Sequence, residues 1–360
     1  MKVTVVAADI PHPKGTAAGR ALWAWCEGAR ALGHDLEVWA WRKSPNTPEG
    51  PLPGWCRFEG FELALGPMWK EHLYSLFRPR MGVGRATWQL PEDRVVIADE
   101  AVSSPAVEDL ARSATVLHYR AAADALAMRD LRLSVLQDAR AERRAGRKPA
   151  LVLAFSARVA RHLRRRAHVV PIAYPLPPGP ITLTETPTAV MMADWLWPPN
   201  MVALGRLLDV WPSVREKVPG ARLLLAGRRM PPDAVGTLAG VELLGPLGQS
   251  VEALAQACVM AFPCPATSGP KVKVLEALSY GLPVVTTRHG TEGLWLARGQ
   301  GAVVANGREF GPALANLLTS PDLRAALSRS GRAAVEAHHA PVPAARARLQ
   351  PLLEAFGDSR

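Results

Sequence analysis

The sequence predicts an α/β protein of two halves, each an alternation of strands and helices that builds a doubly wound parallel sheet. Three observations predict it. Val3 to Ala8 is a short apolar run, followed by the polar loop Asp9 to Gly19, an amphipathic helical stretch through Leu32, and a new strand from Leu36 to Trp41. The same alternation restarts at Ala189. Between the two, Val169 to Thr188 carries six prolines and no helical period, the composition of an exposed connection.

In the first half Gly33 and His34 close the opening helix, and Val95 to Ala98, Thr115 to His118 and Leu151 to Phe155 follow as short strands. In the second half, strands are expected at Ala189 to Ala193, Arg222 to Ala226, Val241 to Leu244, Met260 to Pro263 and Pro283 to Thr287. Helices are expected at Met201 to Trp211, Val251 to Cys258 and Lys271 to Tyr280. The division is therefore a Rossmann-like domain over 1–175, a proline-rich hinge over 176–188, a second Rossmann-like domain over 189–340, and a C-terminal helix over 341–360 packing back on the first domain. Ligands in such sheets sit outside the carboxyl ends of the strands, so the site is expected in a cleft between facing sheets.

With 360 residues, 48% hydrophobic and 21% charged, the chain can bury a sizeable core and is not of the disordered class. Net charge is +11, which fits nucleic acid, an anionic membrane surface or phosphorylated substrates equally. The positive charge is mostly Arg beside abundant Ala, a pairing that GC-rich coding produces without any binding role. Arg140, Arg143, Arg144, Arg147 and Lys148 form one basic cluster, and Arg158, Arg161, Arg164, Arg165 and Arg166 another. The second has helical spacing and could rest, through Arg161, Arg164 and Arg165, on anionic lipid.

Cys26, Cys56, Cys258 and Cys264 are scattered and form no zinc-ligand spacing, which fits a reduced cytoplasmic protein. The start MKVTVVAADI does not read as a signal peptide, and no apolar run reaches spanning length. Gly82 to Thr87 is only a broken GxGxxG, and there is no Walker A, HExxH or GxSxG motif. No nucleic-acid motif of interleaved aromatic and basic residues is present.

The most informative stretch is Thr267 to Leu294, TSGPKVKVLEALSYGLPVVTTRHGTEGL. Ser268 reads as an N-cap, Pro270 suits the first helical turn, and Gly281 stops the helix. The helix end offers backbone amides near Gly269, Lys271 and Val272 and a positive dipole, so it can hold a diphosphate, with Lys271 adding a full charge. Glu276, about a turn and a half on, can accept hydrogen bonds from vicinal hydroxyls such as those of a ribose. The alternative is an i,i+3 pair of Lys273 and Glu276 on a solvated face.

This string resembles the donor-binding motif of the family-4 glycosyltransferases of GT-B fold, in a branch with G-x-K-x-K-x-L-E-A-x-x-x-G-x-P-V-V-x-T and a downstream E-G-L. Here it stands as Gly269, Lys271, Lys273, Leu275, Glu276, Ala277, Gly281, Pro283, Val284, Val285, Thr287, Glu292, Gly293 and Leu294. The resemblance extends over most of the chain. Pro13 to His34 is similar to the family's opening loop and helix, placing Gly15 and Thr16 near donor phosphate or acceptor. His118 stands where the family often has an active-site histidine facing the donor sugar. Asp99 and Glu100, after a strand, are candidate acceptor contacts.

Two positions depart from the family. Its first glutamate lies eight residues before the second, and here that residue is Ser268. The usual Arg and Lys near the first donor-domain strand are missing, since Ala193 to Pro199 reads ADWLWPP, leaving Lys271 and Arg228 to neutralise the diphosphate. The resemblance implies a retaining glycosyltransferase that uses a nucleotide-diphosphate sugar as co-substrate and requires no cofactor or metal. The other readings are a non-catalytic nucleotide-sugar-binding protein of the same fold, which Ser268 motivates, and a nucleotide-sugar epimerase.

Overall fold

The computed structural model describes residues 1–42, 50–58, 90–107, 110–119, 124, 139, 142–143, 145–147, 149–161, 163, 166–231, 235 and 238–357. The broken glycine motif at Gly82 to Thr87 and the residues Arg140, Arg144, Lys148, Arg164 and Arg165 lie outside them.

The chain divides into two compact units, Met1–Pro175 with His339–Arg360, and Leu176–His338. The first holds β1 (Lys2–Asp9), α1 (Ala17–Ala31), β2 (Asp35–Arg42), β3 (Cys56–Phe58), β4 (Val95–Asp99), β5 (Ser113–Leu117), β6 (Leu151–Ala154), α2 (Ala157–Arg161) and β7 (His168–Val169). Its strands pair in parallel in the order β3-β2-β1-β4-β5-β6-β7. The second holds β8 (Thr188–Asp194), α3 (Pro198–Lys217), β9 (Arg222–Arg228), β10 (Val241–Gly245), α4 (Val251–Leu254), β11 (Val259–Phe262), α5 (Val272–Ser279), β12 (Val284–Thr286), β13 (Ala302–Val304), α6 (Phe310–Thr319) and α7 (Pro321–His338). Its order is β10-β9-β8-β11-β12-β13, again parallel throughout. The winding direction reverses beside β1 in one sheet and beside β8 in the other, the places where α/β sheets open a crevice for ligand.

Parallel strands buried on both faces read as continuous apolar runs, and β4, β5 and β11 are buried at every position. Helix α1 forms because Thr16 caps it, accepting the Gly19 amide at 3.0 Å, and because its small apolar residues recur on one face. It ends in a Schellman turn: Gly33, at φ 80, donates to the Arg30 carbonyl, and His34 to that of Ala29. The buried face, Ala21, Leu22, Ala24, Trp25 and Ala29, packs on the C-terminal helix α8 (Pro341–Phe356).

Gly28 sets the closeness of that contact, since a Cβ there would lie 1.9 Å from the Pro341 carbonyl oxygen and 2.9 Å from the Ala345 side chain. Gly28→Ala is therefore expected to pry α8 away from α1 and cost about 2–4 kcal/mol, read as a lower denaturant midpoint.

Two expected helices are shorter than the periodicity suggests. Val251 to Cys258 is helical only to Leu254, because the Cys258 amide is drawn to the Thr188 carbonyl at 2.9 Å as the chain enters β11. The basic stretch from Arg158 is helical over Ala157–Arg161, with Arg166 beyond it, so a five-arginine helical face does not form among the described residues. Among the described residues no helix is long and apolar enough to cross a membrane. Among the described tryptophans Trp25, Trp39, Trp195 and Trp211 are buried, whereas Trp197 and Trp295 are exposed.

Candidate functional site

In the first unit, the carboxyl ends of β4 and β5 bring three predicted residues together. His118 is the first residue past β5, and its ring lies between two carboxylates, Nε2 at 3.2 Å from Asp99 Oδ1 and Nδ1 at 3.3 Å from Glu100 Oε1. Phe155 packs against it, with ring centroids 4.6 Å apart. Asp99 is turned inward. Besides His118, its Oδ1 accepts from the guanidinium of Arg348 at 3.1 Å, so Asp99 serves the cluster rather than standing open for a ligand as expected.

Arg348 was not foreseen. It comes from α8, is buried, and lies over the Trp25 ring with its Cζ 4.2 Å from the centroid. Burial is the largest influence on all three groups, opposing charge on each. It pushes the Asp99 carboxyl up, but the His118 and Arg348 charges and hydrogen bonds win and hold it at about 2. For His118 burial pulls the imidazole down, and Asp99 with Glu100 outweighs it, raising the group above its ordinary 6.5. Arg348 is lowered by burial against the pull of Asp99. Glu100 holds its place with φ 72 and ψ 156, a region that costs a non-glycine residue about 1–3 kcal/mol and that clusters at functional sites.

Gly15 and Thr16 occupy the β1–α1 loop. The Thr16 hydroxyl gives its proton to Asp9 Oδ2 at 2.9 Å while capping α1, so this residue is committed to shaping the loop. Gly15 donates its amide to the His12 carbonyl at 3.1 Å, closing the same turn.

In the second unit the segment after β11 is held from several sides. The Thr287 hydroxyl donates to the Cys264 carbonyl at 2.8 Å, and Glu292 Oε1 accepts the Gly269 amide at 3.0 Å. Gly269, at φ 73, turns the chain where a side chain would be strained. Ser268 does not cap the helix as expected. Helix α5 starts at Val272 with Lys271 in the cap position and no side-chain cap bond, because the Gly269 turn and Pro270 intervene after Ser268. The first-turn amides of Val272 and Lys273 thus point out of the helix without an intrahelical acceptor. Ser268 is buried and its carbonyl accepts from Lys271 Nζ at 3.0 Å, as does the Gly269 carbonyl from the same ammonium.

Glu276 is 4% exposed, which overturns the solvated Lys273–Glu276 pair. Its Oε1 accepts from the Ser250 hydroxyl at 2.6 Å, just before α4. Lys273 points elsewhere, with Nζ 2.7 Å from Asn200 Oδ1 and over the Phe262 ring at 4.6 Å, and burial pulls its ammonium down to about 8. Asn200 Nδ2 donates to the Asp194 carbonyl at 2.7 Å, and Arg229 Nε reaches Asp194 Oδ1 at 3.1 Å. Arg228, predicted to neutralise phosphate, is exposed at the end of β9, and its neighbour Arg229 is the arginine joined to Asp194. A hint of Lys273's separate role lay in the sequence: lysines two apart cannot share a helix face.

Among the described residues no group of three or more His, Cys, Asp or Glu side chains is placed to hold a metal ion. The second unit instead offers fixed positive ends, from the α5 amides and Lys271, and one buried carboxylate.

Residues 186–320 match the family model described as glycosyl transferases group 1, a stretch that includes the whole Ser268–Glu276 site. No curated protein matches the chain in sequence. Sucrose-phosphate synthase of Thermosynechococcus elongatus is similar in structure, with TM-score 0.70 and 15% identity over 100% of both chains. The Anabaena protein HepE, in complex with UDP and glucose, has TM-score 0.66 and 14% identity, covering 97% of this chain and 98% of that one. TarM of S. aureus, in a mutant complex with fondaparinux, alpha-GlcNAc-glycerol and UDP, has TM-score 0.57 and 13% identity over 74% of this chain. The present chain spans only 55% of TarM. Two parallel-stranded Rossmann-like units and these structural likenesses give the chain the GT-B fold, and its second unit carries the match to the glycosyl transferases group 1.

Proposed function

We propose that the protein is a glycosyltransferase that moves a sugar from a nucleotide-diphosphate sugar to an acceptor with retention of anomeric configuration. The observation that carries this reading is the geometry at α5: uncapped amides and Lys271 at the helix mouth, with buried Glu276 farther along the same helix, inside the matched segment. The second unit takes the donor. Glu276 accepts the ribose hydroxyls, while the amides of Val272 and Lys273 and the Lys271 ammonium bind the diphosphate. As the sugar–phosphate bond breaks, negative charge grows on the departing diphosphate oxygen, and these fixed donors stabilise it without reorganising. The mechanism routes no step through a metal. The structures of HepE and TarM hold UDP, which makes uridine nucleotides the first donors to test.

The first unit takes the acceptor in this scheme, with His118 and Glu100 as its polar groups at the strand ends and Asp99 positioning the ring. Retention rests on the family resemblance, which implies substitution on one face of the sugar. The four free, buried cysteines support a reducing cytoplasmic location, with peripheral contact to anionic lipid through Arg161, Arg164 and Arg165 as an extension.

A second reading is favoured by one residue. Ser268 supplies no carboxylate to the donor sugar, as a protein that binds nucleotide sugars without turning them over could tolerate. Incubation with UDP-, GDP- and ADP-sugars and a panel of acceptors separates the cases. Acceptor-dependent nucleotide release is expected. Binding without turnover in every combination establishes the binding protein, and sugar conversion without acceptor establishes an epimerase.

A further inference from the structure

A cavity of about 740 Å³ in the second unit lies beside the Ser268–Glu276 site, sharing with it only the segment that leads out of β11. That size falls within the roughly 300–1,000 Å³ of small-molecule sites. Pro263, Cys264 and Ala266 form one wall, Val210 of α3 and Phe310 of α6 another. Three arginines line it from three elements: Arg206 on α3, Arg288 after β12 and Arg308 before α6.

The convergence of three guanidiniums on one lining concentrates positive charge in this cavity. Elsewhere in the unit Arg222 pairs with Glu242, Arg229 with Asp194 and Arg332 with Glu336. Among the described residues, none of Arg206, Arg288 and Arg308 is in an ion pair. Among the described residues the one carboxylate in the lining is Asp209, so three guanidiniums less one carboxylate leave a net charge of +2. Two of the guanidiniums are oriented. Arg206 donates to the Cys264 carbonyl at 3.4 Å, and Arg288 Nε donates to His289 Nε2 at 3.3 Å, leaving further N–H groups on each. Guanidiniums present paired donors that match phosphate oxygens and keep their charge at any physiological pH. Asn306 adds a side-chain amide, and Phe310 and Val210 an apolar flank for the body of a ligand.

We infer that this cavity binds the phosphate monoester of a small organic phosphate, separately from the diphosphate at α5, with Arg288 and Arg308 as its principal anchors. Because Cys264 and Ala266 run directly into Ser268, an occupied cavity braces the loop that carries Lys271. The inference does not depend on the glycosyltransferase reading.

The test is calorimetric titration of the full chain at fixed ionic strength with inorganic phosphate, glucose 6-phosphate and dihexanoyl phosphatidate, the last two separating a sugar from a lipid source. The Arg288→Ala/Arg308→Ala variant is expected to weaken binding of the preferred phosphate at least tenfold, and Lys271→Ala to leave it within twofold. Both arginines are exposed, so the double variant should melt with the wild type; Arg288→Gln and Arg308→Gln, each expected to weaken binding threefold or more, replace it if it does not. Absence of binding by all three probes overturns the inference. So does binding that survives loss of the arginines but disappears in Lys271→Ala, which places the phosphate at α5.

Discussion

Arg348→Met is expected to lower the stability of the first unit by about 3–5 kcal/mol, the usual result of removing one partner from a buried charge pair. The guanidinium is buried against Asp99 Oδ1 and the rings of Trp25 and Phe155, so methionine keeps much of the packing volume but leaves Asp99 with only His118. Asp99→Asn should be nearly as damaging. The double variant should recover part of the loss, and the resulting coupling of about 1–3 kcal/mol would show that the two act as a pair. Chemical denaturation followed by tryptophan fluorescence reads all three, and additive losses would remove the pair from the account.

The same cluster fixes the sign of the pH dependence. Asp99 is held at about 2, below its ordinary 3.8, so its contribution is present above pH 3.8 and is lost as pH falls through about 2. A shift of that size corresponds to about 2 kcal/mol. His118 is raised, so its contribution is complete below pH 6.5 and is lost as pH rises through its folded value. Both shifts describe one ion pair and are not summed. Stability of the first unit should therefore decline on both sides of a slightly acidic optimum, and His118→Gln should abolish the decline on the alkaline side.

Glu276→Ala carries the second large effect, and it acts on binding and on the fold together. In the proposed donor site, removing the carboxylate removes the ribose acceptor, worth about 1.5–3 kcal/mol for a hydrogen bond to a charged group, or roughly ten- to hundredfold in nucleotide affinity. From sequence, a surface carboxylate would leave the fold untouched when cut to alanine. In the structure Glu276 is buried and holds the Ser250 hydroxyl, so the alanine variant should also lose about 1–3 kcal/mol of stability. Glu276→Gln separates the two effects: its amide oxygen can still accept from Ser250, so stability should be largely restored while nucleotide affinity stays low. Full affinity in Glu276→Gln would remove the charge from the binding account.

What the sequence showed and hid follows from the range of the forces involved. The strands were legible because burial on both faces leaves unbroken apolar runs, and α1 because its amphipathic period and its Gly33 terminator are local. The Ser268 cap misled because a left-handed glycine and a proline can move a helix start by several residues without changing the motif. Glu276 looked like a surface residue because its partner, Ser250, is 26 positions away in the sequence. Arg348 had no visible signal, since it meets Asp99 across 249 residues and sits on a helix whose periodicity tells only that it packs. Local chemistry announced the proposed donor loop, and long-range pairing built the rest.

In the proposed function the mouth of α5 receives the diphosphate of a nucleotide sugar. A crystal structure of the protein soaked with UDP should show the diphosphate against the amides of Val272 and Lys273, with Lys271 Nζ moved from the Ser268 and Gly269 carbonyls onto phosphate and the ribose hydroxyls on Glu276. A diphosphate seated at the Gly15–Thr16 loop of the first unit, with α5 empty, would contradict it.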